Sequence, residues 1–237
     1  MTLHHVVEGE GPPLVLAASL GTTHRLWEPN IAELSRRFRI MRYDHPGHGE
    51  SPAGPSTIEG LAHAALGLLD ELGLERVTFC GLSLGGMVAM SLAAHTPERI
   101  ERLVLSCTAP RLPPAEQWLE RAATVRREGM EAVADAVLRR WFTPRFTGDR
   151  ERWRAMLLST PPEGYARCCE AIAAMDLRHE LRAIRVPTTV ILGRHDPAID
   201  DANRRLLVEV GPVVELDAAH LANVEQPEAF GEAVLAG

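Results

Sequence analysis

Apolar positions along the chain fall into two rhythms. Up to Ala109, short continuous apolar runs alternate with longer stretches at helical spacing. "PLVLAAS" (Pro13–Ser19), "FRIMRYD" (Phe38–Asp44), "RVTFCG" (Arg76–Gly81) and "ERLVLSC" (Glu101–Cys107) predict buried strands. "IEGLAHAALGLLDELGL" (Ile58–Leu74) predicts a helix that stops near Gly73, and the apolar stretch from Gly86 to His95 predicts another. From Pro110 to about Arg185 the pattern is helical throughout, in "AEQWLERAATVRREG", "MEAVADAVLRRWF", "DRERWRAMLLS" and "EGYARCCEAIAAM", with the proline-rich "APRLPP" at its opening. Strand character returns in "RVPTTVILG" and "VVELDAA", followed by a terminal helical segment. Strand and helix in succession imply a mostly parallel sheet flanked by helices. The expected architecture is an α/β core from residues 1–109 and 186–237, with residues 110–185 forming a helical cap between its two parts. No repeat, low-complexity tract or inter-domain linker interrupts it.

Composition narrows the chemistry. A length of 237 residues can bury a sizeable core, and 46% hydrophobic with 24% charged residues is ordinary for a globular protein. A net charge of −7 argues against nucleic-acid and acidic-membrane partners, while leaving an anionic small molecule open. All 25 basic residues are arginine. Without lysine there is no Schiff base, no pyridoxal-phosphate chemistry and no Walker-type phosphate loop. Cys80, Cys107, Cys168 and Cys169 have neither zinc-ligand spacing nor the look of a disulfide framework. The opening "MTLHHVVEGEGPP" lacks a basic flank and apolar run, and no apolar stretch reaches membrane-spanning length, so a cytoplasmic protein is expected.

The densest signal is Gly81-Leu82-Ser83-Leu84-Gly85, where a predicted strand gives way to a helix. It fits the G-x-S-x-G turn that lifts a serine hydroxyl above a sheet edge. Flanking glycines relieve the turn of Cβ atoms, and the helix start aims free N–H groups where negative charge develops. The rival readings, an incidental serine in a Gly-rich turn or a phosphate-binding loop, have less behind them, and "GLSLGG" fails as a dinucleotide fingerprint. A serine nucleophile needs a base and an orienting acid. The chain order Ser83, Asp196, His220 supplies both, each just past a predicted strand. Asp217 is the fallback acid; Asp200 and Asp201 are further competitors, while His45, His48, His95, His179 and His195 read as structural or solvent-facing. The backbone N–H groups of Leu84 and Leu20 are the candidate oxyanion donors, with Gly21 beside the latter.

With those residues in place, the chain resembles the α/β-hydrolase superfamily, and within it the 3-oxoadipate enol-lactonases of the β-ketoadipate pathway. "SLGTTHRLWEP", "RYDHPGHGESP", "FCGLSLGGMVAMSLAAHTPERIERLVLSCTA", "RRWFTPRF", "LSTPPEGYARCCEAIAAMDLR" and "LDAAHLANVEQPEAF" carry the resemblance over nearly the whole chain. "WFTP", "TPPEGYARCC" and "SLGTT" are its narrowest parts. Two departures stand out: Ala18 where that family usually has asparagine, and His45-Pro46 where it usually has Thr-Arg. The resemblance implies a five-membered carboxylated lactone or ester as substrate, a Ser83 acyl-enzyme, and no cofactor or metal. Arg139 or Arg140 would meet the substrate carboxylate, and Trp141, Phe142 and Trp27 would line the pocket. A general carboxylesterase, a C–C bond hydrolase, a haloperoxidase side activity and a non-catalytic ligand receptor are the alternatives. Oligomeric state is not written in the letters.

Overall fold

A computed structural model describes residues 2–236. Among these residues seven strands form one sheet: β1 (His5–Glu8), β2 (Pro13–Ala17), β3 (Arg39–Tyr43), β4 (Val77–Leu82), β5 (Ile100–Ser106), β6 (Thr188–Gly193) and β7 (Val213–Leu216). Their spatial order is β1-β3-β2-β4-β5-β6-β7, parallel except for β1, which pairs antiparallel with β3. The four sequence-predicted strands of the first half appear within one or two residues of their expected bounds. β1 does not announce itself, because "HVVE" is too short and too polar to stand out from a loop.

Among the described residues eleven α-helices accompany the sheet: α1 (Glu28–Leu34), α2 (Ile58–Glu71), α3 (Leu84–His95), α4 (Ala115–Glu128), α5 (Glu131–Trp141), α6 (Arg150–Leu158), α7 (Pro162–Ala174), α8 (Arg178–Ala183), α9 (Asp201–Val208), α10 (Ala222–Glu225) and α11 (Pro227–Ala236). Helices α4 to α8 lie between β5 and β6 in the chain, with α4 packed chiefly against α7. None of the described helices is long and apolar enough to cross a membrane. Caps fix several starts: Thr57 accepts from the Gly60 amide at 3.1 Å and Asp149 from the Arg152 amide at 3.1 Å. Asp200 does the same for α9, a helix that sequence reading left out, accepting from the Asn203 amide at 2.8 Å.

Strands β4 and β6 are buried along their whole length, as parallel strands covered on both faces must be. α3 is buried almost throughout, so its sequence is apolar all round rather than striped. The chain leaves β2 towards β3 on one side and later returns to lay β4 on the other side. That reversal opens a crevice at the carboxyl ends of β2 and β4. Leu20 follows one of those ends and Ser83 the other.

Candidate active site

Ser83 sits between β4 and α3 with φ 56° and ψ −112°, a conformation that L residues rarely adopt. Such strain costs on the order of 1–3 kcal/mol and persists only where the surroundings enforce it. Here the Ser83 amide donates to the Ser106 carbonyl at 2.9 Å, and Thr108 Oγ1 donates to the Ser83 carbonyl at 2.8 Å. The two flanking glycines are a packing requirement. A Cβ on Gly81 would lie 2.2 Å from the Gly85 carbonyl oxygen, and one on Gly85 would lie 2.1 Å from that of Ala17.

Asp196 and His220 come from the loops after β6 and β7. His220 Nδ1 lies 2.8 Å from Asp196 Oδ2, both side chains nearly enclosed. A carboxylate only accepts, so Nδ1 carries a proton, and in the neutral ring Nε2 is the nitrogen with the free lone pair. The other carboxylate oxygen, Oδ1, accepts from the Ala198 amide at 2.9 Å. The two loops meet closely at Gly193, where a Cβ would fall 2.1 Å from the Ala219 carbonyl oxygen. His220 and Ser83 line one narrow pocket. Neither Ser83 Oγ nor His220 Nε2 has a hydrogen-bond partner among the described residues, and in ligand-free enzymes such contacts commonly tighten only when substrate is bound.

The competing acids are accounted for elsewhere. Asp200 caps α9, Asp201 is exposed in its first turn, and Asp217 lies on the surface 2.7 Å from His195 Nε2. Cysteine is no rival to Ser83, since burial pushes the Cys80, Cys107 and Cys169 thiols up to about 12.

The loop after β2 discriminates between the two expected donors there. The Gly21 amide is spent on His48 Nε2 at 3.1 Å, whereas the Leu20 amide has no partner among the described residues. Leu84, first residue of α3, likewise has an uncommitted N–H. Ala18 ties the two segments together: its carbonyl accepts from the Gly85 amide at 3.0 Å and from His45 Nε2 at 2.8 Å. Both departures from the family pattern, at Ala18 and His45, therefore touch one another. Burial holds the His45 and His48 rings down to about 4, which keeps both neutral; His48 must be so, because its Nε2 accepts from the Gly21 amide.

Over the pocket lie α4, α5 and α7. Leu112, Trp118, Arg121, Val137, Arg140 and Trp141 supply much of its wall, with Tyr165 and Ile172 from α7. Arg140 makes no ion pair among the described residues. Burial, and next the like charge of Arg121, push its guanidinium below the ordinary arginine value. Arg121 stacks on Trp118 with its guanidinium carbon 4.7 Å from the ring centroid, and its buried Nη1 is unpartnered. Two guanidiniums thus face one pocket with no carboxylate paired to either among the described residues, chemistry suited to an anion.

Three expectations, for Arg139, Trp27 and Phe142, are corrected by the structure. Arg139 points away from Ser83: it is exposed and lines a separate surface groove with Arg145, His195 and Asp217. One residue on a helix turns the side chain by about 100°, so Arg139 and Arg140 cannot share a face. Trp27 does not line the pocket; it is fully buried and packs on Phe230 at 5.8 Å between ring centroids. Phe142 is likewise buried, stacked on Phe146 at 4.2 Å. Sequence reading missed Arg121, Trp118, Tyr165 and Thr108. Outside the pocket, His4, His24 and Asp44 bring ligating atoms within 4.8 Å of one another. Asp44 already accepts from the His24 and Glu50 amides and faces the His24 ring, which accounts for the group as a brace of its turn.

Comparison with known proteins fits this geometry. The profile of the alpha/beta hydrolase family matches residues 14–233, and the chain belongs to that family. It is a hydrolytic enzyme by that relationship. It is 39% identical over 236 residues to 3-oxoadipate enol-lactonase 2 of Acinetobacter baylyi, covering 96% of this chain and 88% of the relative. Among solved structures, the enol-lactonase from Burkholderia xenovorans LB400 superposes with a TM-score of 0.95 at 46% identity, covering 99% of this chain and 95% of the other. A thermophilic esterase from Thermogutta terrifontis with malate bound gives a TM-score of 0.92 at 30% identity, covering 99% and 92%.

Proposed function

We propose that this chain is a serine hydrolase that opens a carboxylated enol-lactone of the 3-oxoadipate type. One observation carries the reading. A His220–Asp196 pair at 2.8 Å shares a pocket with Ser83, on a strained turn, and with two guanidiniums that lack a protein counter-ion. The similarity to proteins named as enol-lactonases supports the choice of ring, and the malate in the esterase structure is in keeping with a carboxylate receptor.

Ser83 Oγ attacks the lactone carbonyl carbon while His220 Nε2 takes the hydroxyl proton. The oxyanion of the tetrahedral intermediate accepts from the Leu20 and Leu84 amides, each worth roughly 3–4 kcal/mol in transition-state stabilisation. Collapse breaks the ring C–O bond, and His220 returns its proton to the departing enol oxygen. The enol becomes a ketone, which makes ring opening effectively irreversible. Water, deprotonated by His220, then releases the acyl group as a carboxylate and restores Ser83. Asp196 holds the imidazole in the required tautomer and offsets its positive charge. Arg140 and Arg121 hold the substrate carboxylate, Trp141 walls the ring, and residues 110–185 act as a cap over a core of residues 1–109 and 186–237.

Ser83→Ala is the first test. Turnover of the enol-lactone should fall by roughly 10⁴–10⁶-fold while the protein still folds. Wild-type enzyme should favour the enol-lactone over uncharged p-nitrophenyl esters. The reverse preference would discard the carboxylated substrate in favour of a general esterase.

A further inference from the structure

A helix leaves its last carbonyls without partners of its own. α5, which carries Arg140 and Trp141, ends by handing two of them to the catalytic loop. The His220 amide donates to the Arg140 carbonyl at 3.3 Å, and the Leu221 amide donates to the Trp141 carbonyl at 3.0 Å. Beside this junction stands Glu225, in the one-turn helix α10. Its Oε1 accepts from the Thr143 amide at 3.0 Å and from Thr143 Oγ1 at 2.7 Å. Its Oε2 accepts from the Ala219 amide at 2.6 Å. One carboxylate thus grips the segment just past the end of α5 with one oxygen and the residue before His220 with the other. These three bonds to an ionised acceptor are individually stronger than neutral ones.

We propose that Glu225 is a positioning residue that locks the end of the Arg140–Trp141 helix to the His220 loop, so that the base and the substrate-binding side chains keep one fixed relation. The inference rests on the function proposed above. Glu225 acts through Ala219 and Thr143 and stays clear of the reacting atoms. Without it, the junction keeps the two backbone bonds at His220 and Leu221 and an exposed Arg145–Asp217 pair at 3.7 Å. The base then wanders relative to a bound ester, and small misplacements of a catalytic group are costly. A neutral glutamine offers only one accepting oxygen, so it can serve Ala219 or the Thr143 amide, but not both.

The test compares Glu225→Ala, Glu225→Gln and Thr143→Val in the full chain by two measurements. Amide hydrogen exchange reads the junction directly, independent of any reaction. Exchange at Ala219, His220 and Leu221 should quicken by about 10-fold or more in Glu225→Ala. Kinetics with the uncharged p-nitrophenyl acetate read the base. There kcat should fall by about 10–100-fold with KM within about twofold, a split that mere loss of stability would not produce in folded protein. Glu225→Gln should lie between the alanine variant and wild type. Thr143→Val, which keeps the backbone donor, should lose about 2–3-fold; should the alanine variant not fold, these two decide. Unchanged exchange at the three amides, or unchanged kcat alongside a lowered Tm, overturns the proposal. Full turnover in Ser83→Ala would instead refute the nucleophile assignment, and the exchange rates would then judge the Glu225 junction by themselves.

Discussion

The loops that end β2, β4, β6 and β7 place Leu20, Ser83, Asp196 and His220 by short backbone routes. The helices above bring Trp118, Arg121, Arg140 and Trp141 to the same pocket on their side chains, with only the end of α5 tied to the loops below by backbone bonds. The lower group is held by main-chain contacts such as Gly85 N–H to Ala18 and Ser83 N–H to Ser106, at 3.0 and 2.9 Å. The upper group hangs on flexible arms, one of them stacked on an aromatic ring. Chemistry that demands sub-ångström placement is built on rigid backbone, and recognition that tolerates looseness is built on long side chains. Damage to the lower half should therefore destroy fold or turnover, and loss of a pocket-facing arginine from the upper half should change mainly what binds.

Gly85→Ala is the harshest way to press that contrast. Its new Cβ would meet the Ala17 carbonyl oxygen at 2.1 Å and the Ala17 Cβ at 2.8 Å, backbone and near-backbone atoms that cannot swing aside. Overpacking of this kind should cost about 3 kcal/mol or more, read by urea unfolding. A loss under about 1 kcal/mol would show that the sheet edge yields and that the floor of the pocket is not rigid.

Acid provides the second stress, again on the lower half. His45 and His48 brace the loop that carries Leu20, and burial holds both rings near pKa 4. In the unfolded chain they titrate near 6.5, so between those values the unfolded state binds more protons. Stability must therefore decline as pH drops from about 6.5 towards 4, by up to about 3 kcal/mol for each ring. Unfolding curves at pH 7 and 4.5 measure it. His45→Asn combined with His48→Asn should flatten the profile, and a wild-type profile already flat would mean that the rings are solvated.

The same division governs what the letters disclose. The placement of Ser83, Asp196 and His220 could be read because each follows a strand, and strands of buried apolar residues stand out in the sequence. The glycines around Ser83 disclosed the turn because no other residue fits there. Arg121 and Tyr165 could not be found that way. Which face of α4 or α7 meets the pocket depends on how the helices pack, and a soluble helix offers many arginines at similar spacing. Trp27 misled for the same reason: its nearness in sequence to Leu20 says nothing of the side on which its ring packs, and that side is Phe230. α9 escaped notice because it is short and charged, with only two buried residues, Asn203 and Leu207. His45 and Ala18 are separate oddities in the letters, and only the fold reveals that one ring bonds the other's carbonyl.

The mildest perturbations are made in the upper half, and neighbouring arginines supply their own control. Arg140→Ala and Arg121→Ala should each raise KM for the carboxylated lactone by about 10–100-fold, equivalent to roughly 1.4–2.8 kcal/mol, with kcat on an uncharged ester held close to wild type. Removing Arg121 should also lift the like-charge penalty on Arg140, so the double variant should lose less than the product of the two single effects. Arg139→Ala, one position along the same helix, should leave both substrates within about twofold of wild type, because an exposed arginine facing a separate groove contributes little. If Arg139→Ala raised KM for the lactone as much as Arg140→Ala does, the carboxylate would be held outside the Ser83 pocket. The recognising half would then have to be sought in the groove of Arg145 and His195.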